Sequence, residues 1–244
     1  MKRLLCAVLP MVLAAQVAEA AESLRFGVTL SSTMPDAKFQ GERLVGGIMY
    51  DLGQALSIQL AMKVSFVTLP WKRVDSAVRA GKADLLCELI PQWTVSPDEY
   101  VWSGPLFDLS DVIFAHETTP EPKTIADMPV DSTIGGVLGY HYPALDPFFS
   151  NGRYTREDAV TQQSVILKLA AGRTKYGISD ALVLSWYKRI NPNHHLSGWQ
   201  LVISRVGSQC GVPLKGKVPP EKIINALQEL KRNGSIEKIL NNYR

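Results

Sequence analysis

The sequence is short of several things that would decide its class at once. Only three of its 244 residues are cysteine, so it is not a disulfide-dense miniprotein. Charge of one sign is missing too: 26 Lys and Arg stand against 23 Asp and Glu, a net charge of +3, and no basic run stands out. That balance does not favour nucleic acid as a partner. With 46% hydrophobic residues and ordinary glycine and proline content, the chain is neither disordered nor low-complexity. It contains no G-x-S-x-G, H-E-x-x-H or C-x-x-C and no glycine-rich phosphate loop. Beyond the first twenty residues it also lacks an apolar run long enough to cross a bilayer.

Those first twenty residues, MKRLLCAVLPMVLAAQVAEA, have the order of an export signal. Lys2 and Arg3 precede an apolar run from Leu4 to Ala15, and Ala18-Glu19-Ala20 ends it as a small-x-small cleavage site. The run is too short for a membrane span. Residues 1–20 are therefore expected to be a signal peptide and the remainder an exported, periplasmic protein. Only Cys87 and Cys210 would survive cleavage. In an oxidising compartment they are either a disulfide or two separate buried thiols.

The remainder reads as alternating strands and helices. Ser23–Leu30, Lys63–Pro70 and Ala83–Ile90 have strand patterns. Between them, Ile48, Leu52 and Leu56 share one helical face, and Trp71, Val74 and Val78 share another, stopped by Gly81. A second series follows: strands at Asp111–Ala115, Thr133–Gly139, Tyr176–Asp180 and Leu201–Ser204, with helices built on Val165, Ile166 and Leu169 and on ALVLSWYKRI. The C-terminal tail places Ile223, Leu227 and Leu230 on one helix, and Ile236, Ile239 and Leu240 on another. Two β-α-β series predict an α/β protein with mostly parallel sheets flanked by helices.

The segments LRFGVTL, VGGIMYDLGQAL, LPWKRVDSAVRAGKADLL, YVWSGPLF, TIGGVLGY, AAGRTKYGISDA and NALQELKRNGSIEKILNNY, in this order, resemble the bacterial extracellular solute-binding proteins of family 3. The best-known members bind polar amino acids for ABC importers. The resemblance implies a two-lobed, type II periplasmic-binding-protein-like fold that closes around ligand by a hinge. Lobe 1 would comprise residues 21–108 plus 206–244, and lobe 2 residues 109–205. A monomer with a small-molecule ligand is expected, delivering to an ABC permease or a membrane sensor, with no cofactor and no metal.

By position in the family, the ligand-binding candidates are Trp71, Glu88, Tyr140, His141, Tyr142 and Asp180. Trp71 opens the helix after the second strand, where an indole can stack on ligand; a core tryptophan is the alternative. Glu88 ends a strand where relatives carry a small hydroxyl or a backbone contact. It either binds a cation or several N–H donors, or is a solvated loop charge or an ion-pair partner of Lys72 or Arg73. Asp180 matches the aspartate that binds an amino group in relatives, and is equally a good helix N-cap. Tyr140, His141 and Tyr142 follow a glycine turn and either narrow the pocket or pack between the lobes. Trp93 and Trp102 read as packing residues. The neighbouring His194 and His195 read as solvated rather than metal-binding.

One departure from the family bears on the ligand. Relatives that bind amino acids place an arginine in a Thr-x-x-Arg setting to clamp the ligand carboxylate. Here Pro97, Asp98 and Glu99 occupy that place, and no arginine lies between Ile90 and Phe114. Arg43 and Arg73 are the candidates for a substitute clamp. With Glu88 and Asp180 facing a cleft, a cation or a polar neutral molecule is expected. Two further classes stay open: an enzyme resembling the periplasmic cyclohexadienyl or arogenate dehydratases, with Glu88, His141 and Asp180 as acids, and a sensory or accessory module.

Overall fold

The computed structural model describes residues 23–244; the expected signal peptide, residues 1–20, lies outside the described residues. The chain forms β1 (Ser23–Thr29), a hairpin of β2 (Lys38–Gln40) and β3 (Arg43–Gly46), α1 (Ile48–Leu60), β4 (Lys63–Leu69), α2 (Val74–Arg79) and β5 (Leu85–Leu89). Next come β6 (Tyr100–Trp102), β7 (Phe107–Leu109), β8 (Asp111–Ala115), β9 (Ser132–Val137), α3 (Asp146–Ser150), β10 (Tyr154–Ala159), α4 (Gln162–Ala170), β11 (Tyr176–Asp180) and α5 (Ala181–Ile190). Last are β12 (Leu201–Val202), β13 (Val206–Pro213), α6 (Pro220–Arg232) and α7 (Ser235–Asn241). Among these helices none is long and apolar enough to cross a membrane.

The fold is two-lobed α/β. One sheet runs β4-β1-β5-β13-β6 with β7 paired to β13; the other runs β10-β9-β11-β8-β12. Both are mixed. Each has three parallel strands (β4, β1 and β5; β10, β9 and β11) and antiparallel additions where the chain passes between sheets. The pairing of β7 with β13, Val206 opposite Leu109, lies at that passage.

The first core forms because β1 alternates. Leu24, Phe26 and Val28 point to one side, where Ile48, Leu52 and Leu56 of α1 and Ile223, Leu227 and Leu230 of α6 meet them. The second sheet buries Phe114, Val137, Val165 and Leu184 on one face and Ile113, Ile134, Tyr154 and Ile178 on the other. Strands buried on both faces read as continuous apolar runs, as DVIFA does. The helix expected from Trp71 begins differently: Trp71–Arg73 is a 3₁₀ turn and the α-helix starts at Val74.

Register sets the site. Thr29 lies opposite Leu69, and Gly27 opposite Leu86, so β1, β4 and β5 end on the same side. In the second sheet Val137 lies opposite Ala159, and Gly177 opposite Gly135. Segments leaving the carboxyl ends of both parallel sets face one another, where ligands of open α/β sheets bind.

Candidate functional site

A cavity of about 510 Å³ lies between these strand ends. All six candidates line it: Trp71 and Glu88 from the first sheet, Tyr140, His141, Tyr142 and Asp180 from the second. The two walls touch at its rim. Trp71 donates its indole N–H to the Gly139 carbonyl oxygen at 3.2 Å, and its ring packs on Tyr140 with centroids 5.0 Å apart. Gly139 sits at φ +85°, a turn that favours glycine, and a Cβ there would lie 3.3 Å from the indole.

Tyr142 is buried, its hydroxyl accepting from the Val137 N–H at 3.0 Å, with the Arg156 guanidinium over its ring. It faces the cavity with its ring, while His141 is exposed at the mouth. Trp93 also reaches the lining; Trp102 does not, and packs on Tyr100 with its N–H on the Pro97 carbonyl oxygen.

Carboxyl groups dominate the interior. Besides Glu88 and Asp180, sequence reasoning missed three: Asp36 in the loop after β1, Asp111 at the start of β8, and Asp75 of α2, which is paired with Arg79 at 3.3 Å and accepts from the Tyr100 hydroxyl at 2.9 Å. The available signal was the rule that placed Glu88, because Asp36 also follows the carboxyl end of a parallel strand. Asp36 is held by the start of α1, where the Met49 N–H donates to its carbonyl oxygen at 2.9 Å. Asp111 pairs with Asp180 in register across antiparallel β8 and β11.

The environment favours the protonated forms. Burial, then the charges of Glu88 and Asp180, raises Asp36 well above the usual carboxylate range. Burial pushes Glu88 up to about 7; a hydrogen bond with Asp36 opposes that rise and the Asp180 charge adds to it. Burial and Asp180 bring Asp111 to about 6. Asp180 is raised by burial but partly held ionised by backbone donors, Ser110 N–H at 2.9 Å and Leu182 N–H at 2.8 Å. It therefore caps α5 and faces the cavity at once. Glu88 adopts φ +57°, a left-handed conformation unusual for a side chain of its size. Its neighbour Cys87 is disulfide-bonded to Cys210, where the β5–β13 register shifts.

Neither Arg43 nor Arg73 lines the cavity; among the described residues Lys72 is the lysine or arginine that does. No group of His, Cys, Asp and Glu side chains among the described residues is arranged to hold a metal ion. His195 instead bonds Glu117 through Nδ1 at 2.8 Å on the surface.

A sequence profile of the bacterial extracellular solute-binding proteins, family 3, matches residues 26–244. No curated protein matches the chain. Among solved structures, an ancestral arginine-binding protein bound to arginine is similar at 21% identity and TM-score 0.74, covering 91% of this chain and 97% of that one. An ancestral amino acid-binding protein, a precursor of cyclohexadienyl dehydratase, is similar at 20% identity and TM-score 0.72, covering 91% and 94%. A histidine kinase sensor domain with similarity to periplasmic binding proteins follows at 16% identity and TM-score 0.70, covering 91% and 96%. At these identities the likeness is one of fold.

Proposed function

This chain belongs to the bacterial extracellular solute-binding proteins, family 3, and from that premise we propose that it captures a small polar molecule in the inter-lobe cleft by hinge closure and presents it to an ABC importer. In this reading the signal peptide sends it to the periplasm, where it acts as a monomer without cofactor and without catalysis. Lobe 1 is residues 21–108 plus 206–244 and lobe 2 residues 109–205. Trp71, Glu88, Tyr140 and Asp180 hold the ligand, with the Tyr142 ring behind it and His141 at the entrance.

The observation that carries the reading is the cavity of about 510 Å³ lined from both sheets and bridged at its rim by Trp71 and Gly139. A site built from two separately cored bodies is emptied by moving one against the other, and ligand bound to both walls favours the closed arrangement. Native mass spectrometry of protein purified without unfolding, paired with X-ray scattering before and after ligand removal, tests it. The expected result is a retained small molecule and a larger radius of gyration once it is gone. An unchanged scattering curve with every member of a broad metabolite panel would end the reading.

One observation favours a second reading, an acid catalyst on the same scaffold. Glu88, pushed up to about 7, is poised to donate a proton, and a structural relative is a dehydratase precursor. Turnover of a cyclohexadienyl substrate by the pure protein, lost in Glu88→Gln, would replace capture with catalysis.

A further inference from the structure

Apart from Asp75, which is paired with Arg79, the carboxyl groups of the cleft are grouped by wall. Asp36 and Glu88 both line the cavity from the first lobe, and the charge of Glu88 acts on Asp36. Asp111 and Asp180 stand on the other, side by side across the strand pair. Asp36 is 5% exposed, and its Oδ1 is buried with no hydrogen-bond partner. A buried polar atom of this kind needs a donor, and none is in place at Asp36 Oδ1. The lining also carries the apolar side chains of Val28, Leu86, Leu109 and Val206, alongside neutral polar ones such as Ser32 and Gln162.

We infer that the captured molecule is a dication with an apolar spacer and no carboxylate, a diamine, with one ammonium at Asp36 and Glu88 and the other at Asp111 and Asp180. The inference rests on the capture reading and narrows it. Two acidic groups in contact share one proton more readily than they carry two charges, so each pair presents about one net negative charge to the ligand. Two such pairs match two ammonium groups. Ammonium donors suit the unpartnered Oδ1, and methylenes suit the apolar part of the lining. The basic side chains on the lining, Lys72 and His141, are exposed. A ligand carboxylate would be buried among four acidic groups with no arginine to receive it. A metal ion is disfavoured by the arrangement of the same groups.

Calorimetric titration of the purified protein, stripped of any retained ligand, with 1,5-diaminopentane, lysine and 1-aminopentane isolates each element. Lysine adds only a carboxylate to the diamine, and 1-aminopentane removes only one ammonium. 1,4-Diaminobutane and 1,6-diaminohexane vary the spacing. The best diamine should bind at least about ten-fold tighter than lysine and than 1-aminopentane, and Asp36→Asn and Asp180→Asn should each weaken it about ten-fold or more. Lysine binding as tightly as the best amine, equal binding by 1-aminopentane, or no heat from any of the amines overturns the inference. Tight binding and scattering-detected closure with an amino acid would overturn it while leaving capture intact. Because the comparison of ligands uses the unaltered chain, it decides the matter even where a variant fails to fold.

Discussion

The Trp71 indole N–H donates to the Gly139 carbonyl oxygen at 3.2 Å, across the cleft from one sheet's strand ends to the other's. Few direct polar contacts span the rim there, and this one stands beside the weaker approach of Ser31 Oγ to the Tyr140 hydroxyl at 3.4 Å. Both contacts are lost if the lobes part.

Trp71→Phe should remove that hydrogen bond and keep most of the ring contact with Tyr140, and Trp71→Ala should remove both. Each component is worth about 0.5–1.5 kcal/mol. Ligand affinity should fall about three-fold to ten-fold in the first variant and further in the second, with a larger radius of gyration by scattering. Unchanged affinity in Trp71→Ala would show that the rim contact does not contribute to closure.

Asp84→Ala should destabilise the first lobe at its central strands, since Arg25 lies on β1 and Asp84 leads into β5. Asp84 is fully buried and accepts from Arg25 Nη2 at 2.6 Å, Arg25 Nε at 3.0 Å, and the backbone N–H groups of Arg25 and Lys217, both at 2.8 Å. Removing it leaves a partly buried guanidinium without its partner, at a cost of about 3–5 kcal/mol. Chemical denaturation of the two proteins measures this directly.

Acid and base should destabilise the ligand-free protein for opposite reasons. Burial opposes ionisation of Asp84, but the Arg25 hydrogen bonds outweigh it and lower its pKa; its contribution is present at neutral pH and is lost as pH falls through the folded value. Glu88 is raised to about 7 and Asp111 to about 6, chiefly by burial. For these the folded state holds the proton more tightly, so stability declines as pH rises from their unfolded range through those values. The melting temperature without ligand should drop from pH 5.5 to pH 8, and Glu88→Gln should flatten that drop. A variant with an unchanged slope would refute the assignment.

Reducing the Cys87–Cys210 bond, or replacing Cys210 by alanine, should cost about 2–5 kcal/mol, because the link closes a loop across 123 positions of sequence. Since Cys87 precedes Glu88, ligand affinity should fall as well. Denaturant midpoints with and without reductant provide the check.

Gly47→Ala should damage the site from a distance. Gly47 sits at φ +97°, and a Cβ there would lie 2.7 Å from the Asp36 carbonyl oxygen and 2.8 Å from Ala37 Cα. Both are backbone atoms, so the loop carrying Asp36 must shift. The expected result is a loss of about 1–3 kcal/mol in stability together with weaker ligand binding. Retained affinity would separate Asp36 from the binding surface.

Much of this was legible in the chain. Alternation in LRFGVTL and the spacing of Ile48, Leu52 and Leu56 gave β1 and α1 because burial on one side imposes a period. Strand β10 escaped notice because YTREDA lies at a sheet edge, where charged residues are tolerated and the apolar signal fades. Strand β13, VGSQCGVP, gave no alternation because small residues fill it.

What the sequence determined by itself was the two-series α/β order, the absence of a clamping arginine, and the placement of Trp71, Glu88 and Asp180 at strand ends. Only the tertiary structure decided that Asp36 joins Glu88, that Asp111 stands beside Asp180, and that Lys72 rather than an arginine reaches the cavity. The physical reason is one of range. Periodicity records what each segment buries against its immediate neighbours, whereas the proximity of four acidic groups, 36 to 180 along the chain, depends on strand register and on how two sheets face each other.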